Sequence, residues 1–295
     1  MRLATVLVEG SEELTIVTAR GPILVADINR ETSFNWPGRM GRIIREGILD
    51  DMSSWYRSEG RQQLARWPHR ILEQGAFRYA PLYRSPSKIW GIGLNYADHA
   101  RDLSERPPTA APASFMKPCT TIIGHGDTIR IPKQSQKTTA EAELGIVIGK
   151  RCKDVTREGW LGVVAGFTTI IDMTAEDILR QNPRYLTMSK SFDTFFSFGP
   201  QLVTPDEIDD VNSLEVATAI NDRVHAKNTV DHMTFPPDEL VAFHSHVMTL
   251  LPGDIISTGT PGATPIADGD AVSCRISGFE PLENSVIDLK NQGDL

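Results

Sequence analysis

Apolar positions recur along this chain at two spacings, and the strand-like period of two dominates. Residues 2–8 (RLATVLV) and 14–19 (LTIVTA) are short apolar runs, and residues 21–28 (GPILVADI) make a third, parted by Gly and acidic turn signals. Residues 42–45 and 52–64 shift to helical spacing, with Trp55 and Leu64 as candidate core contacts. Pro81 and Pro86 then punctuate a linker or entry strand. A boundary near residue 83 follows, giving a small N-terminal α/β domain over 1–83 and a main domain over 84–295. The first unit carries no chemical signature and reads as structural, covering or dimerising the second. Beyond the boundary, LGIVIG, VVAGFTTII, EVATAIN, GDIIST and AVSCRIS are β-branched or alternating, and few long helices part them. This pattern predicts an α+β, mostly β fold with a mixed sheet rather than a doubly wound parallel one.

Composition narrows the partners. Apolar residues make up 40% and charged residues 23% of the 295, which excludes wholesale disorder. Asp and Glu number 38 against 30 Lys and Arg, a net charge of -8, so there is no electrostatic reason to hold nucleic acid. No apolar run approaches the ~20 residues of a membrane span. The opening MRLATVLVEGSEELT turns acidic before an export signal could form, so the expectation is a cytoplasmic chain without membrane association. Cys119, Cys152 and Cys274 lie far apart and read as reduced thiols. Gly91-x-Gly93 fails as a dinucleotide signature, because Tyr96 occupies the third glycine position. No P-loop, HExxH or GxSxG is present.

Carboxylates carry the chemical signal. Strand alternation places Glu141, Glu143, Gly145 and Val147 on one face, and sends Ala142, Leu144, Ile146 and Ile148 toward the core. Adjacent glutamates repel unless water or a cation screens them, and a hard divalent ion wants such oxygens. Alone, the pair fits a solvated strand edge as well. Asp172 ends an apolar strand, and Thr174 is then expected to cap a helix, with Asp177 completing a capping box. A further group is Asn95-Tyr96-Ala97-Asp98-His99-Ala100-Arg101-Asp102. If Asn95 caps a short helix, His99 and Asp102 share a face, and an acid beside imidazole suits general-base work. The following LSERPPTAAPAS suits a loop that orders when ligand arrives. His244 and His246 fall in a segment of helical pattern and read as structural.

Together, GLNYADHA, FMKP, AEAELGIVIGK, IDMTAED, SKSFDTFFSFGP and LPGDIISTGTP resemble the fumarylacetoacetate hydrolase family, in order from about Ile89 to Val286. The resemblance implies a rolled, mixed β-sheet catalytic domain and a homodimer. It implies a Mg²⁺ or Mn²⁺ site at Glu141, Glu143 and Asp172, and a small oxo-acid substrate cleaved, decarboxylated or isomerised. His99 matches a family histidine that forms a base dyad on a mobile lid, with Asp102 where a glutamate is more usual. Lys190 matches a lysine that contacts substrate, and Thr260 lies in a substrate loop.

One departure bears on specificity. Glu176 stands where the family usually carries an arginine that grips a substrate carboxylate, and Leu179 replaces a glutamine. Arg180 and Arg184 are the cations placed to substitute. An unpaired anion at 176 is expected to disfavour diacids. The resulting expectation is a metal-dependent hydrolase of a 1,3-dioxo or 2-oxo acid of acylpyruvate type, acting through an enolate. Oxaloacetate-type decarboxylation and 2-hydroxy-dienoate isomerisation are the enzymatic alternatives, and a small-acid binding homologue without turnover is the non-enzymatic one.

Overall fold

The computed structural model describes residues 1–97, 108 and 110–292. His99 and Asp102 lie outside the described residues, as do residues 103–107 and 109 of the segment expected to form a loop. The strands are β1 (Arg2–Val8), β2 (Ser11–Thr18), β3 (Gly21–Leu24), β4 (Arg78–Tyr79), β5 (Ile89–Gly93), β6 (Ala113–Lys117), β7 (Ile122–Ile123), β8 (Thr128–Ile131) and β9 (Thr138–Ile148). After these come β10 (Val164–Ala175), β11 (Phe196–Val203), β12 (Glu215–Ile220), β13 (Arg223–Thr229), β14 (Ile255–Ser257), β15 (Thr264–Pro265), β16 (Ala271–Ile276) and β17 (Leu282–Asp288). Helices are short: α1 (Val25–Glu31), α2 (Met40–Arg45), α3 (Leu49–Trp55), α4 (Arg61–Ala65), α5 (Glu176–Gln181), α6 (Leu186–Lys190) and α7 (Pro237–Val247).

The fold is α+β and mostly β, as the period-two pattern predicts. Among the described residues, one sheet runs β3-β2-β1-β11-β10-β9-β14-β5-β6, with β4, β7 and β15 paired off that path. A second, of five strands, runs β13-β12-β16-β17-β8. Pairing is mixed: β14 lies parallel to β5 and β17 parallel to β8, while β9, β10 and β11 are antiparallel. Residues 21–28 split where a strand was expected throughout. After Leu24 the chain turns into α1, which buries Val25 and Ile28 on one helical face.

The long pair β9–β10 is the spine. Ala142, Leu144, Ile146 and Ile148 are fully buried in the cluster shared with the second sheet, and Ala142 N–H donates to Thr218 Oγ1 at 3.0 Å across that contact. Each large apolar side chain so buried contributes roughly 1.5–3 kcal/mol. That sum offsets the several kcal/mol that each buried charge on the other face costs. Val147, on the carboxylate face, enters a second cluster with Ile170, Ile255 and the N-terminal residues Leu3, Ile16 and Met52.

The N-terminal segment joins the same sheet. Leu3 pairs with Leu202 and Ala4 with Gln201, so β1 covers the flank of β11. Helices α3 and α4 meet through a π-helical turn, Tyr56–Gly60, in which Gly60 lies against the Trp55 ring. A fragment beginning at residue 84 would expose the β11 edge and the apolar residues Phe196, Phe198 and Leu202. It is expected to aggregate on expression, by size-exclusion chromatography. A monomeric fragment with a cooperative melt would contradict this coupling.

Candidate metal centre and active site

Antiparallel register brings the three carboxylates together. Asp172 sits directly opposite Glu141, and Glu143 lies two residues along the same strand, opposite Ile170. Their ligand oxygens all lie within 4.8 Å of one another, and all three residues are buried. The ExE pair is therefore no solvated edge, since β9 is buried along its whole length. Three oxygen donors without Cys or His match a hard divalent cation such as Mg²⁺ or Mn²⁺.

Each carboxylate is held by different elements. Glu143 Oε2 accepts from Ser257 Oγ at 2.5 Å and from Gly259 N–H at 2.9 Å. Gly259 adopts φ +95°, and a Cβ there would meet Asn95 Cβ at 2.8 Å, so glycine alone lets this amide approach. Asn95 is itself buried and clamps two loops. It donates to the carbonyls of Phe235 and Thr258 and accepts from Phe235 N–H. Glu141 Oε1 accepts from Thr174 Oγ1 at 2.7 Å. Thr174 is thus a strand residue bonding across the pair, and Ala175 takes the helix N-cap position without a side-chain bond. Asp177 completes no capping box with Thr174. It accepts from Ser135 Oγ at 2.8 Å and Gln136 N–H at 2.9 Å, fixing the turn that leads into β9.

Two lysines balance the cluster. Lys190 Nζ, at the end of α6, donates to Glu141 Oε2 at 3.0 Å and Asp172 Oδ2 at 2.5 Å, and lies 4.7 Å from the Phe115 ring centre. Lys117 Nζ, from β6, donates to Asp172 Oδ1 and to Met173 O. Lys117 is the site residue that sequence reasoning left without a role. Its signal was the alternation of Phe115 and Lys117, which sends both side chains inward from an edge strand.

Burial works against the Lys190 ammonium, but Asp172, Glu141 and Glu143 outweigh it and raise its pKa. Burial brings Lys117 down to about 8, partly opposed by Asp172. Burial, then Asp172 and Glu141, push Glu143 up to about 8. Burial would raise Asp172 as well, yet the two lysines hold it below the usual carboxylate range.

Other expected site residues lie further out. Thr260 is buried, and its hydroxyl bonds within its own loop to Gly262 N and O. Glu176 Oε2 pairs with Lys137 Nζ at 2.7 Å, and Oε1 pairs with Arg180. The unpaired anion expected at this position is therefore neutralised, and the repulsion argued from it loses its basis. Arg184 lies in the exposed turn after α5, with its backbone N–H bonded to Asn182 Oδ1. His244 is buried in α7 against Trp90, a structural position as expected.

Residues 88–287 match the fumarylacetoacetate (FAA) hydrolase C-terminal domain. The chain belongs to the fumarylacetoacetate hydrolase family. A relative within reach is the mitochondrial oxaloacetate tautomerase Fahd2a of Rattus norvegicus, 35% identical over 216 residues that cover 70% of this chain and 68% of that protein. Among solved structures, 5-carboxymethyl-2-hydroxymuconate delta-isomerase from Mycobacterium smegmatis is 29% identical, with a TM-score of 0.76 over the whole of both chains. Maleylpyruvate hydrolase from Sphingobium sp. SYK-6, solved with manganese(II) and pyruvate, is 27% identical, with a TM-score of 0.78 over 98% of this chain and 99% of that one. Fumarylacetoacetate hydrolase family members are enzymes, and the acidic triad here fits a divalent ion.

Metal binding to this site requires Glu143 to be ionised. Below about pH 8 a proton must leave as the cation enters, so affinity is expected to rise with pH up to that value and then level off. Calorimetric titration with Mn²⁺ at pH 7, in buffers of differing ionisation enthalpy, is expected to show about one proton released. No release at pH 7 would contradict the assignment.

Proposed function

We propose that this chain is a divalent-metal-dependent enzyme that cleaves a C–C bond in an acylpyruvate-type 2-oxo or 1,3-dioxo acid by way of an enolate. The observation that carries the reading is the buried Glu141–Glu143–Asp172 triad with Lys190 bridging two of its members. When bound there, a divalent ion supplies Lewis-acid polarisation of a carbonyl oxygen.

The chain's own residues do the rest. Glu141, Glu143 and Asp172 would hold the ion, with Ser257, Gly259 and Thr174 fixing the direction of their oxygens. This outer support is what keeps ligands oriented. Lys190 and Lys117 place two ammonium groups against the cluster, where they add positive charge beside a developing enolate oxygen. The sheet and the loop around Gly259 keep bulk water from this side of the site, which strengthens every charge interaction there. His99, oriented by Asp102, is assigned the general base that activates the attacking water, and Thr260 the substrate loop. The full-length similarity to a hydrolase crystallised with pyruvate supports cleavage. A second reading, keto–enol interconversion of oxaloacetate, is favoured by the tautomerase relative and uses the same enolate without an attacking water. Mg²⁺ and Mn²⁺ both suit the donor set, and a homodimer is the expected assembly.

Purified protein with Mn²⁺ is to be assayed on acetylpyruvate and oxaloacetate. Pyruvate with acetate from the first means hydrolysis. Faster decay of the enol absorbance of the second, without pyruvate, means tautomerisation. Lys190→Met is expected to lower turnover ~10²-fold or more while Mn²⁺ affinity is kept. Turnover unchanged by excess EDTA, or no reaction of either acid, would overturn the proposal.

A further inference from the structure

Across the sheet, Ser257 pairs with Gly91 and Gly91 with Phe115. Ser257 reaches Glu143 from this row, so the row presents its side chains on the carboxylate face. A Cβ on Gly91 would lie 2.2–2.8 Å from three atoms of the Phe115 ring, far closer than carbon atoms pack. Gly91 does not adopt a positive φ, so space rather than backbone conformation calls for glycine here. The ring lies where any other residue at 91 would put its side chain. Lys190 Nζ stands over that ring, 4.7 Å from its centre, and both residues are buried.

A ring face holds an ammonium differently from a carboxylate. The attraction is to the ring quadrupole, so it takes none of the three N–H donors. Two of those donors go to Glu141 and Asp172, which leaves the third for a ligand. Lys190 must share both acids with any dication held there, and like charge pushes its ammonium away. The hold of the Phe115 face does not depend on those acids. It is also strongest where water is excluded, as it is around Lys190.

Resting on the role of Lys190 proposed above, we infer that Phe115, seated over Gly91, is a positioning residue that keeps the Lys190 ammonium beside the reacting oxygen when a dication occupies the triad. Gly91 acts through Phe115, and Phe115 acts through Lys190.

Nuclear magnetic resonance of lysine-labelled protein tests the contact itself. The Lys190 εCH₂ signal, assigned with Lys190→Met, is shielded by the ring current and is expected upfield of the ordinary lysine position, in metal-free and in Mg²⁺-loaded protein alike. Phe115→Leu and Gly91→Ala should each return it to the ordinary position. Phenylalanine analogues with one, three and five ring fluorines at position 115 keep the ring in place while draining its negative face. On whichever of acetylpyruvate and oxaloacetate turns over, kcat is expected to fall stepwise, by roughly tenfold or more with five fluorines, while KM and Mn²⁺ affinity stay within about twofold. A merely structural role for the ring would give no such grading. Gly91→Ala should lower kcat alone but add nothing to Phe115→Leu, the non-additivity of residues acting in series. An ordinary Lys190 signal in wild type, a signal that leaves its upfield position on Mg²⁺ loading, or full kcat with five fluorines overturns the inference. If neither acid turns over, the proposed function falls, and the Lys190 signal still decides the contact.

Discussion

Everything in the site depends on one pairing: Asp172 lies directly across the β9–β10 ladder from Glu141, with Glu143 beside them, out of water. Like charges so placed repel strongly in a low-dielectric interior, and burial adds a desolvation cost for each. The fold tolerates the arrangement because cations are brought from elsewhere in the chain. Lys117 arrives from the edge strand β6 and Lys190 from α6, and together they take both oxygens of Asp172. Glu143, approached by neither lysine through a hydrogen bond, is the member whose pKa rises. The cluster is in this sense built around positive charge, and a dication is a stronger source of it than a proton.

Support for the cluster comes from distant parts of the sequence. The even-numbered face of β9 is anchored in the apolar layer between the sheets, so the odd-numbered face cannot shift without disturbing that core. Register then fixes which side chains meet, because a one-residue slip would send both glutamates into the apolar layer. The end of β14 adds Ser257 and the loop after it Gly259, and Asn95 ties that loop to the segment before α7. Three polar anchors and a packed strand pair hold the oxygens in one geometry, the condition a metal site and an enolate-stabilising site share.

Much of this was legible in the sequence. Strict alternation through residues 140–148 sorted site face from core face, and the mostly β architecture followed from short apolar runs with few helices between. What alternation does not reveal is what covers each face. Glu141 and Glu143 read equally as a wet edge until β10 and the lysines are placed against them. Lys117 was missed because its partner is 55 residues away, and no local spacing encodes that distance. Thr174 reads as a cap because the strand was expected to end at Asp172, three residues short of Ala175, and tertiary bonding to Glu141 extends the strand instead. Glu176 looked like a lone anion because Lys137, on another strand's approach, meets it only in three dimensions.

The central claim is that the triad is a divalent-cation site. Crystals soaked in Mn²⁺ and measured near the manganese absorption edge test it most directly. The account predicts one strong anomalous peak within ~2.0–2.6 Å of oxygens from Glu141, Glu143 and Asp172, with Lys190 still adjacent. A peak elsewhere with none at the triad, or no peak at millimolar Mn²⁺, would contradict it.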